Sequence, residues 1–307
     1  MIFTITLYIS IDIVKLYFYG VILMGGKSFI AKIEEIILKS TKPDYMDSQE
    51  KIDDFLSNRQ QDDEPVKSIF KSVDINGVQV FTFGDENAEK TILYIHGGAY
   101  INEINYQHLL YCLLLSRRLD AYVLAPVYPL APKHEAMESF DMMAGLYGDI
   151  IPRGNLILMG DSAGGGFVHA FCQHLKATGL PQPKQVITFS PWVDISMSAT
   201  HYDNEEDPIL GETGLREIGK SWAGGLDVKD YRVSPLYGDN AGLPKTLIFA
   251  GTNEIFHKDI RKYVENLKRD GVEVRFVEGD GLFHIYPMFP MPEAGKAFKE
   301  IKKEING

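Results

Sequence analysis

Residues 155 to 171 constrain this chain most. An apolar run, Asn155-Leu156-Ile157-Leu158-Met159, passes through Gly160-Asp161-Ser162-Ala163-Gly164 into a second one, Gly165-Gly166-Phe167-Val168-His169-Ala170-Phe171. The first run has the length of a buried strand and the second reads as the start of a buried helix. A turn this tight brings the side chains flanking its central residue into collision. Glycines at 160 and 164 remove that collision and let Ser162 hold a strained backbone with its hydroxyl projecting from the strand end.

The remainder of the chain alternates in the same manner. Ile69 to Ile75 and Val78 to Phe83 flank Asn76-Gly77, a strong hairpin signal. Thr91–Ile95, Tyr122–Val127, Gln185–Phe189, Thr246–Ala250 and Val272–Val277 read as further strands. Helices are expected over Tyr106–Leu119, Glu138–Tyr147, Lys258–Arg269 and Glu293–Ile305. Such alternation predicts an α/β architecture, a mostly parallel sheet with helices on both faces. One interval breaks the rhythm. More than fifty residues separate Phe189 from Thr246, with a helix expected near Gly214 to Ala223. An insertion of about 195–235 then sits at the carboxyl end of a strand, where open α/β sheets hold their ligands, and is a candidate cap.

The amino terminus is of another character. Met1 to Met24 is strongly apolar but carries Asp12 and Lys15, has no basic leader or small-residue cleavage site, and fits poorly as a signal peptide or a spanning helix. It reads as a helix packed on the protein or lying on a membrane, or as sequence upstream of a start at Met24. Phe29, Ile33, Ile36 and Ile37 repeat at helical spacing, and Thr41 to Pro65 reads as a polar lid or connection. Residues 1–65 are therefore expected to supply the apolar segment and cap helices, and residues 66–307 the α/β domain.

Composition narrows the partners. A net charge of −11 without a basic stripe excludes a nucleic-acid role. The two cysteines, Cys112 and Cys172, fall in apolar helical stretches and read as packed thiols, which suits a reducing, cytoplasmic compartment. Membrane contact through residues 1–24 and a homodimer stay open. No metal-ligand spacing or dinucleotide fingerprint survives inspection, so no metal and no cofactor are expected. Gly25-Gly26-Lys27-Ser28 ends like a phosphate loop but lacks the earlier glycine.

A serine hydroxyl is a weak nucleophile and needs a base oriented by a third group. Two later strand ends offer them. Glu254 lies three residues past Gly251, and His284 closes Gly279-Asp280-Gly281-Leu282-Phe283-His284. Asp259 is the rival acid, while Asp161 and Asp194 read as structural hydrogen-bonders. His96-Gly97-Gly98-Ala99-Tyr100 follows the Thr91–Ile95 strand, and its small residues let backbone N–H groups of Gly97, Gly98 and Ala99 join that of Ala163 around a developing oxyanion. Tyr100, Tyr106, Trp192 and Phe256 are candidate lining residues for a substrate.

His96 to Tyr100, Tyr128-Pro129-Leu130-Ala131-Pro132, Gly160 to Gly165, Ser190-Pro191-Trp192-Val193-Asp194 and Gly251 to Glu254, taken together and in this order, resemble the hormone-sensitive-lipase branch of the α/β hydrolases over roughly Ile92 to Pro287. The resemblance implies an α/β-hydrolase fold with an eight-stranded sheet and a helical cap. It also implies a carboxylesterase or lipase-like serine hydrolase acting on a small-molecule ester through Ser162, Glu254 and His284. Two features depart from that pattern. Glu254 stands where aspartate is commoner, and Val127 and Pro129 replace the charged pair of D-Y-R-L-A-P. The same machinery would also serve an amidase, a formamidase or a deacetylase. A non-catalytic ligand-binding protein on this fold is the rival of another class.

Overall fold

The computed structural model describes residues 27–59, 65–199 and 207–306. Helices α1 (Phe29–Thr41) and α2 (Gln49–Asn58) precede the hairpin β1 (Ser72–Ile75) and β2 (Val78–Phe83). Then come β3 (Lys90–Ile95), α3 (Tyr106–Leu119), β4 (Ala121–Pro126), α4 (Ala136–Ile150), β5 (Leu156–Asp161) and α5 (Ser162–Ala177). The remaining elements are β6 (Gln185–Phe189), α6 (Glu212–Ala223), β7 (Lys245–Gly251), α7 (His257–Arg269), β8 (Val274–Gly279) and α8 (Pro292–Asn306).

The strands form one eight-stranded sheet in the order β1-β2-β4-β3-β5-β6-β7-β8. Pairing is antiparallel from β1 through β2 to β4 and parallel from there to β8. The hairpin turn takes φ +53° at Asn76 and +83° at Gly77, the left-handed pair that an Asn-Gly turn is suited to.

Both faces of the sheet are covered, so its central strands are apolar throughout rather than alternating. In β3, Leu93 and Ile95 enter one core while Ile92 and Tyr94 enter the other; β5 divides in the same way, Leu156 and Leu158 against Ile157 and Met159. The first core is completed by α4, α5 and α7, the second by α3 and α8.

The two amino-terminal helices have different partners. Ser28 caps α1 and ties it to α8, its N–H and hydroxyl donating to Glu293 at 2.6 and 2.9 Å, and Ala31 is buried in the core that α8 completes. The stretch 41–65, expected as a polar lid or connection within the cap region, holds a short turn at Asp44–Met46 and the helix α2. Ser48 caps α2, Ile52 is its buried anchor, and Tyr45 stacks on Phe55 at 4.1 Å. Met46 lies so close to Gly211 and Gly214 that a side chain at either glycine would meet its backbone, and α2 packs on α6. Few apolar residues are needed for such a helix once a neighbour covers them, which is why its polar composition concealed it. The reading of Met1–Met24 lies outside the described residues. Among the described residues no helix is long and apolar enough to cross a membrane.

Candidate active site

Ser162 is the first residue of α5 and takes φ +52°, in the left-handed region that costs an L-residue roughly 1–2 kcal/mol. The turn is closed by contacts that leave no room for a side chain. A Cβ on Gly164 would press on the carbonyl oxygens of Ile95 and His96, and one on Gly160 would come within 2.7 Å of the Gly164 carbonyl oxygen. The carbonyl of Ser162 itself accepts from Trp192 N–H at 2.9 Å, which fixes the turn to the segment after β6.

Ser162 Oγ lies 2.8 Å from Nε2 of His284, on the loop after β8. On the far side of the imidazole, Nδ1 faces Glu254 Oε1 at 3.7 Å. That is the spacing of a charge contact rather than a formed hydrogen bond, and neither atom has another partner. The other oxygen of Glu254 is doubly held, by Ser190 Oγ at 2.6 Å and by Gly251 N–H at 2.9 Å. Serine, carboxylate and imidazole thus come from the ends of β5, β7 and β8, with β6 lying between the first two in the sheet. Asp259, the rival acid, is buried in the first turn of α7, and the carboxylate opposite Nδ1 is that of Glu254.

Burial disfavours a charged His284, but Glu254 opposes it, with Asp207 and Asp161 acting in the same direction, and the net effect raises the His284 pKa above its ordinary value. The Asp207 carboxyl is itself pushed up by burial. It accepts from the N–H groups of Ile209 and Leu210 at 2.8 and 2.9 Å and from Ile255 N–H at 2.9 Å, stapling the insertion to the residue after Glu254.

The His96–Tyr100 loop runs beside Ser162 with φ of +111° at Gly98, +54° at Ala99 and +60° at Tyr100. Asp161 anchors it. One carboxylate oxygen accepts from Gly97 N–H at 3.0 Å and from the Tyr94 hydroxyl at 2.6 Å, while the other faces His108 Nε2 at 3.4 Å. Burial works against this charge, yet His108 and Tyr94 hold the Asp161 carboxyl below its usual range. Tyr128 supports the same loop, its hydroxyl donating to the His96 carbonyl at 2.8 Å, so the tyrosine keeps a role without the charged neighbours it lacks. Gly97, expected among the oxyanion donors, is corrected on this point: its amide is already engaged by Asp161. The amides of Gly98 and Ala99 are spent on no other described residue. That of Ala163 lies in the first turn of α5, where helical N–H groups have no intrahelical partner and the helix dipole favours negative charge.

Three of the four expected lining residues form one buried aromatic column. Tyr100 stacks on Trp222 at 4.2 Å and on Trp192 at 5.7 Å. Trp192 stacks in turn on Phe256 at 5.5 Å, and Phe256 meets the His284 ring edge-on at 5.2 Å. Tyr106 is not part of it. It opens α3, is 49% exposed and contacts Phe70 on the opposite face of the sheet. An aromatic one turn from the loop in sequence was carried away by the direction of the helix.

Strain is concentrated here. Among the described residues nine non-glycines are left-handed, and five of them are here: Ser162 itself, Ala99 and Tyr100 in the loop beside it, Ser190 against Glu254, and Ile285 next to His284. Backbone strain of this kind persists where the surroundings over-determine it, typically at a working site. Ser190 and Asp207 were not singled out from the sequence as site residues. The signals were a serine directly after a strand, opening the Ser190-Pro191-Trp192-Val193-Asp194 motif, and an Asp-Pro pair in the insertion, none of which names its partner. Among the described residues no group of side chains could hold a metal ion. Both cysteines are free and buried.

A strained serine between the central strand and its helix, with a histidine and a carboxylate from later strand ends, is the layout of an α/β hydrolase. A family model described as alpha/beta hydrolase fold matches residues 92–288. The chain is 31% identical to an acetyl-hydrolase of Streptomyces hygroscopicus over 68% of its length and 73% of that protein's. It is 30% identical to an esterase of Acinetobacter venetianus over 70% and 74%. In structure it is similar to a putative esterase from Staphylococcus aureus, with a TM-score of 0.79, 26% identity, and 88% and 99% of the two chains covered. It is also similar to a hormone-sensitive lipase from a metagenome library, with a TM-score of 0.77, 25% identity, and coverage of 92% and 99%. The chain belongs to the α/β-hydrolase family, in its hormone-sensitive-lipase-like branch.

Proposed function

We propose that the protein is a serine hydrolase of small-molecule carboxylic esters working through an acyl-enzyme. The observation that carries this reading is the 2.8 Å contact between Nε2 of His284 and the hydroxyl of a left-handed Ser162 at a helix N-terminus. Names of the relatives, acetyl-hydrolase and esterase, point to the same chemistry.

In this reading Ser162 Oγ attacks the ester carbonyl carbon while its proton passes to His284 Nε2. The carbonyl oxygen becomes an oxyanion, and the N–H groups of Gly98, Ala99 and Ala163 are the donors within its reach. His284 then returns the proton to the departing alkoxide, leaving the acyl group on Ser162. A water molecule gives its proton to His284 as it attacks the acyl-enzyme, and His284 passes that proton to Ser162 Oγ as the carboxylic acid leaves. Glu254 holds the neutral imidazole in the tautomer with its proton on Nδ1 and balances the imidazolium charge. Its contact with Nδ1 shortens as that charge develops, since such bonds are often long before substrate is bound. Trp192 and Phe256 form an apolar wall beside His284. The Asp44–Asn58 stretch and the segment around α6 serve as the cap.

A fluorophosphonate probe tests this directly. It is expected to add once, at Ser162, with loss of p-nitrophenyl ester hydrolysis, and not to label Ser162→Ala. Turnover by Ser162→Ala near that of the unaltered protein would remove Ser162 from the mechanism.

A further inference from the structure

The loops of Glu254 and His284 are tied by two backbone bonds, from Thr252 N–H to the Gly279 carbonyl at 3.0 Å and from Asn253 N–H to the Leu282 carbonyl at 2.9 Å, and neither reaches the carboxylate or the chain beyond His284. Ser190 touches both. It follows β6 directly, is fully buried, and has φ +46°. Its N–H donates to the Phe249 carbonyl at 2.7 Å, which ties it to β7, the strand whose end carries Glu254. Its hydroxyl has one proton and lone pairs to spare, and the two contacts use both. Oγ–H donates to Glu254 Oε2 at 2.6 Å, a carboxylate oxygen that can only accept while ionised, and Oγ accepts from Ile285 N–H at 2.9 Å. Ile285 immediately follows His284 and itself takes a left-handed φ of +50°, so the base loop bends around this contact.

We propose that Ser190 is a positioning residue whose hydroxyl sets the carboxylate of Glu254 and the loop of His284 in register. This rests on the esterase reading above and deepens it. Two donors, Ser190 Oγ and Gly251 N–H, converge on Oε2 and leave Oε1 as the oxygen facing Nδ1. Without the hydroxyl, the carboxylate keeps only the Gly251 amide and is free to turn about its last bond. The Ile285 amide loses its acceptor at the same time. The 3.7 Å gap between Oε1 and Nδ1 is the joint that would open, and it is the contact on which the imidazolium depends. Misplacing a catalytic group by about 1 Å is enough to cost on the order of 100-fold in rate.

Ser190→Ala removes the hydroxyl, and Ser190→Gly removes it while also relieving the left-handed φ, so a folding failure caused by altered packing in the first is checked by the second. Active sites are counted with the fluorophosphonate, and kcat and KM for p-nitrophenyl acetate are measured across pH. The expected result is a kcat per titrated site lower by about 10- to 100-fold, with KM little changed. The charged groups bearing on His284 are Glu254 from the acid loop, Asp207 from the insertion and Asp161 from the end of β5. Weakening the Glu254 contact removes the largest of these supports, so the acidic limb of kcat/KM moves to lower pH. In a Glu254→Gln background, Ser190→Ala should cost little more, because it acts through the carboxylate.

An unchanged kcat per site and an unmoved acidic limb in either folded variant would overturn the proposal, as would fully multiplicative losses in the double variant. Failure of both variants to fold would make Ser190 structural and overturn it equally. Ser162→Ala separates the two readings. If that variant is dead and the Ser190 variants behave normally, only the positioning role falls; if it is active, the esterase reading falls.

Discussion

The two halves of the site are held in place by different means. On the nucleophile side, Ser162, Gly160, Gly164 and the His96–Tyr100 loop are locked by backbone contact so close that a single added Cβ at Gly164 would collide with two carbonyl groups. On the acid–base side the two loops are also joined by backbone bonds, from Thr252 N–H to the Gly279 carbonyl and from Asn253 N–H to the Leu282 carbonyl. The carboxylate of Glu254 and the residues after it and after His284 are nevertheless placed by side chains from elsewhere: Ser190 from the end of β6 and Asp207 from the insertion. The serine is already at hydrogen-bond distance from the imidazole, 2.8 Å, whereas the carboxylate is at 3.7 Å. Backbone closure cannot relax without breaking the turn, but side-chain tethers can. In the proposed mechanism the nucleophile half is therefore preorganised and the other half completes itself as charge develops.

The electrostatics differ in the same sense. On the nucleophile side, burial pushes His169 down to about 3, and burial together with His108 does the same to His96, so both rings stay neutral. His284 on the other side is buried too, but its acidic neighbours outweigh the burial and raise its pKa. One half refuses protons and the other is built to take one.

The strongest way to break this comparison is to remove one member from each half. Loss of the nucleophile in Ser162→Ala is expected to lower kcat by about 10⁶, the scale found when the serine of an unrelated serine hydrolase is removed. Glu254→Gln is expected to cost less, on the order of 10⁴, by removing the charge and favouring the wrong tautomer. The acidic limb of kcat/KM then moves down, because Glu254 is what lifts His284. Glu254→Asp should fall between Gln and the unaltered enzyme, as the charge survives but the shorter side chain cannot keep both Ser190 and His284. Steady-state kinetics across pH read all three; equal losses for Ser162→Ala and Glu254→Gln would erase the distinction.

A smaller effect concerns the neutral histidines. Their folded pKa lies below the unfolded value, so the unfolded state binds the proton first as pH falls. Stability from His96 and His169 is thus full above about 6.5 and lost progressively as pH drops from there toward about 3. Each contributes a slope of about 1.4 kcal/mol per pH unit inside that window. His169 Nε2 lies 3.0 Å from Thr188 Oγ1, a contact a glutamine can keep. Urea midpoints for His169→Gln should therefore depend less steeply on pH between about 6 and 4. The same steepness in both proteins would show that His169 does not stay neutral.

The smallest expected effect tests whether the strain on the nucleophile side matters by itself. Ala99 takes φ +54° and is buried. Ala99→Gly relieves the left-handed cost, but it gives up a buried methyl group and frees the unfolded chain, so the net change is within about 0.5 kcal/mol. The Ala99 amide remains, and kcat should stay within about threefold if that amide is what the loop contributes. A large drop in kcat with unchanged stability would assign the methyl group a part in shaping the oxyanion site.

What could be read from the chain alone follows from the same division. Apolar runs of strand length, the Asn76-Gly77 turn and the serine turn are local properties: a few adjacent residues carry both the signal and the geometry, so the parallel sheet and Ser162 were legible. Glu254 and His284 were legible as candidates because each lies on the loop after a strand, three and five residues past its end, though their meeting depends on the order in which the strands lie. The helix at Gln49–Asn58 was hidden because its stability comes from α6, some 160 residues further along the chain. Gly97 could not be removed from the oxyanion donors before Asp161 was seen to hold its amide, nor Tyr106 from the pocket before α3 had a direction. Ser190 and Asp207 have no motif that names what they hold. Their importance lies in contacts with Glu254, Ile255 and Ile285, and a contact between residues distant in sequence is a property of the packed chain, where burial withdraws water and leaves each polar group only the partners that tertiary structure brings to it.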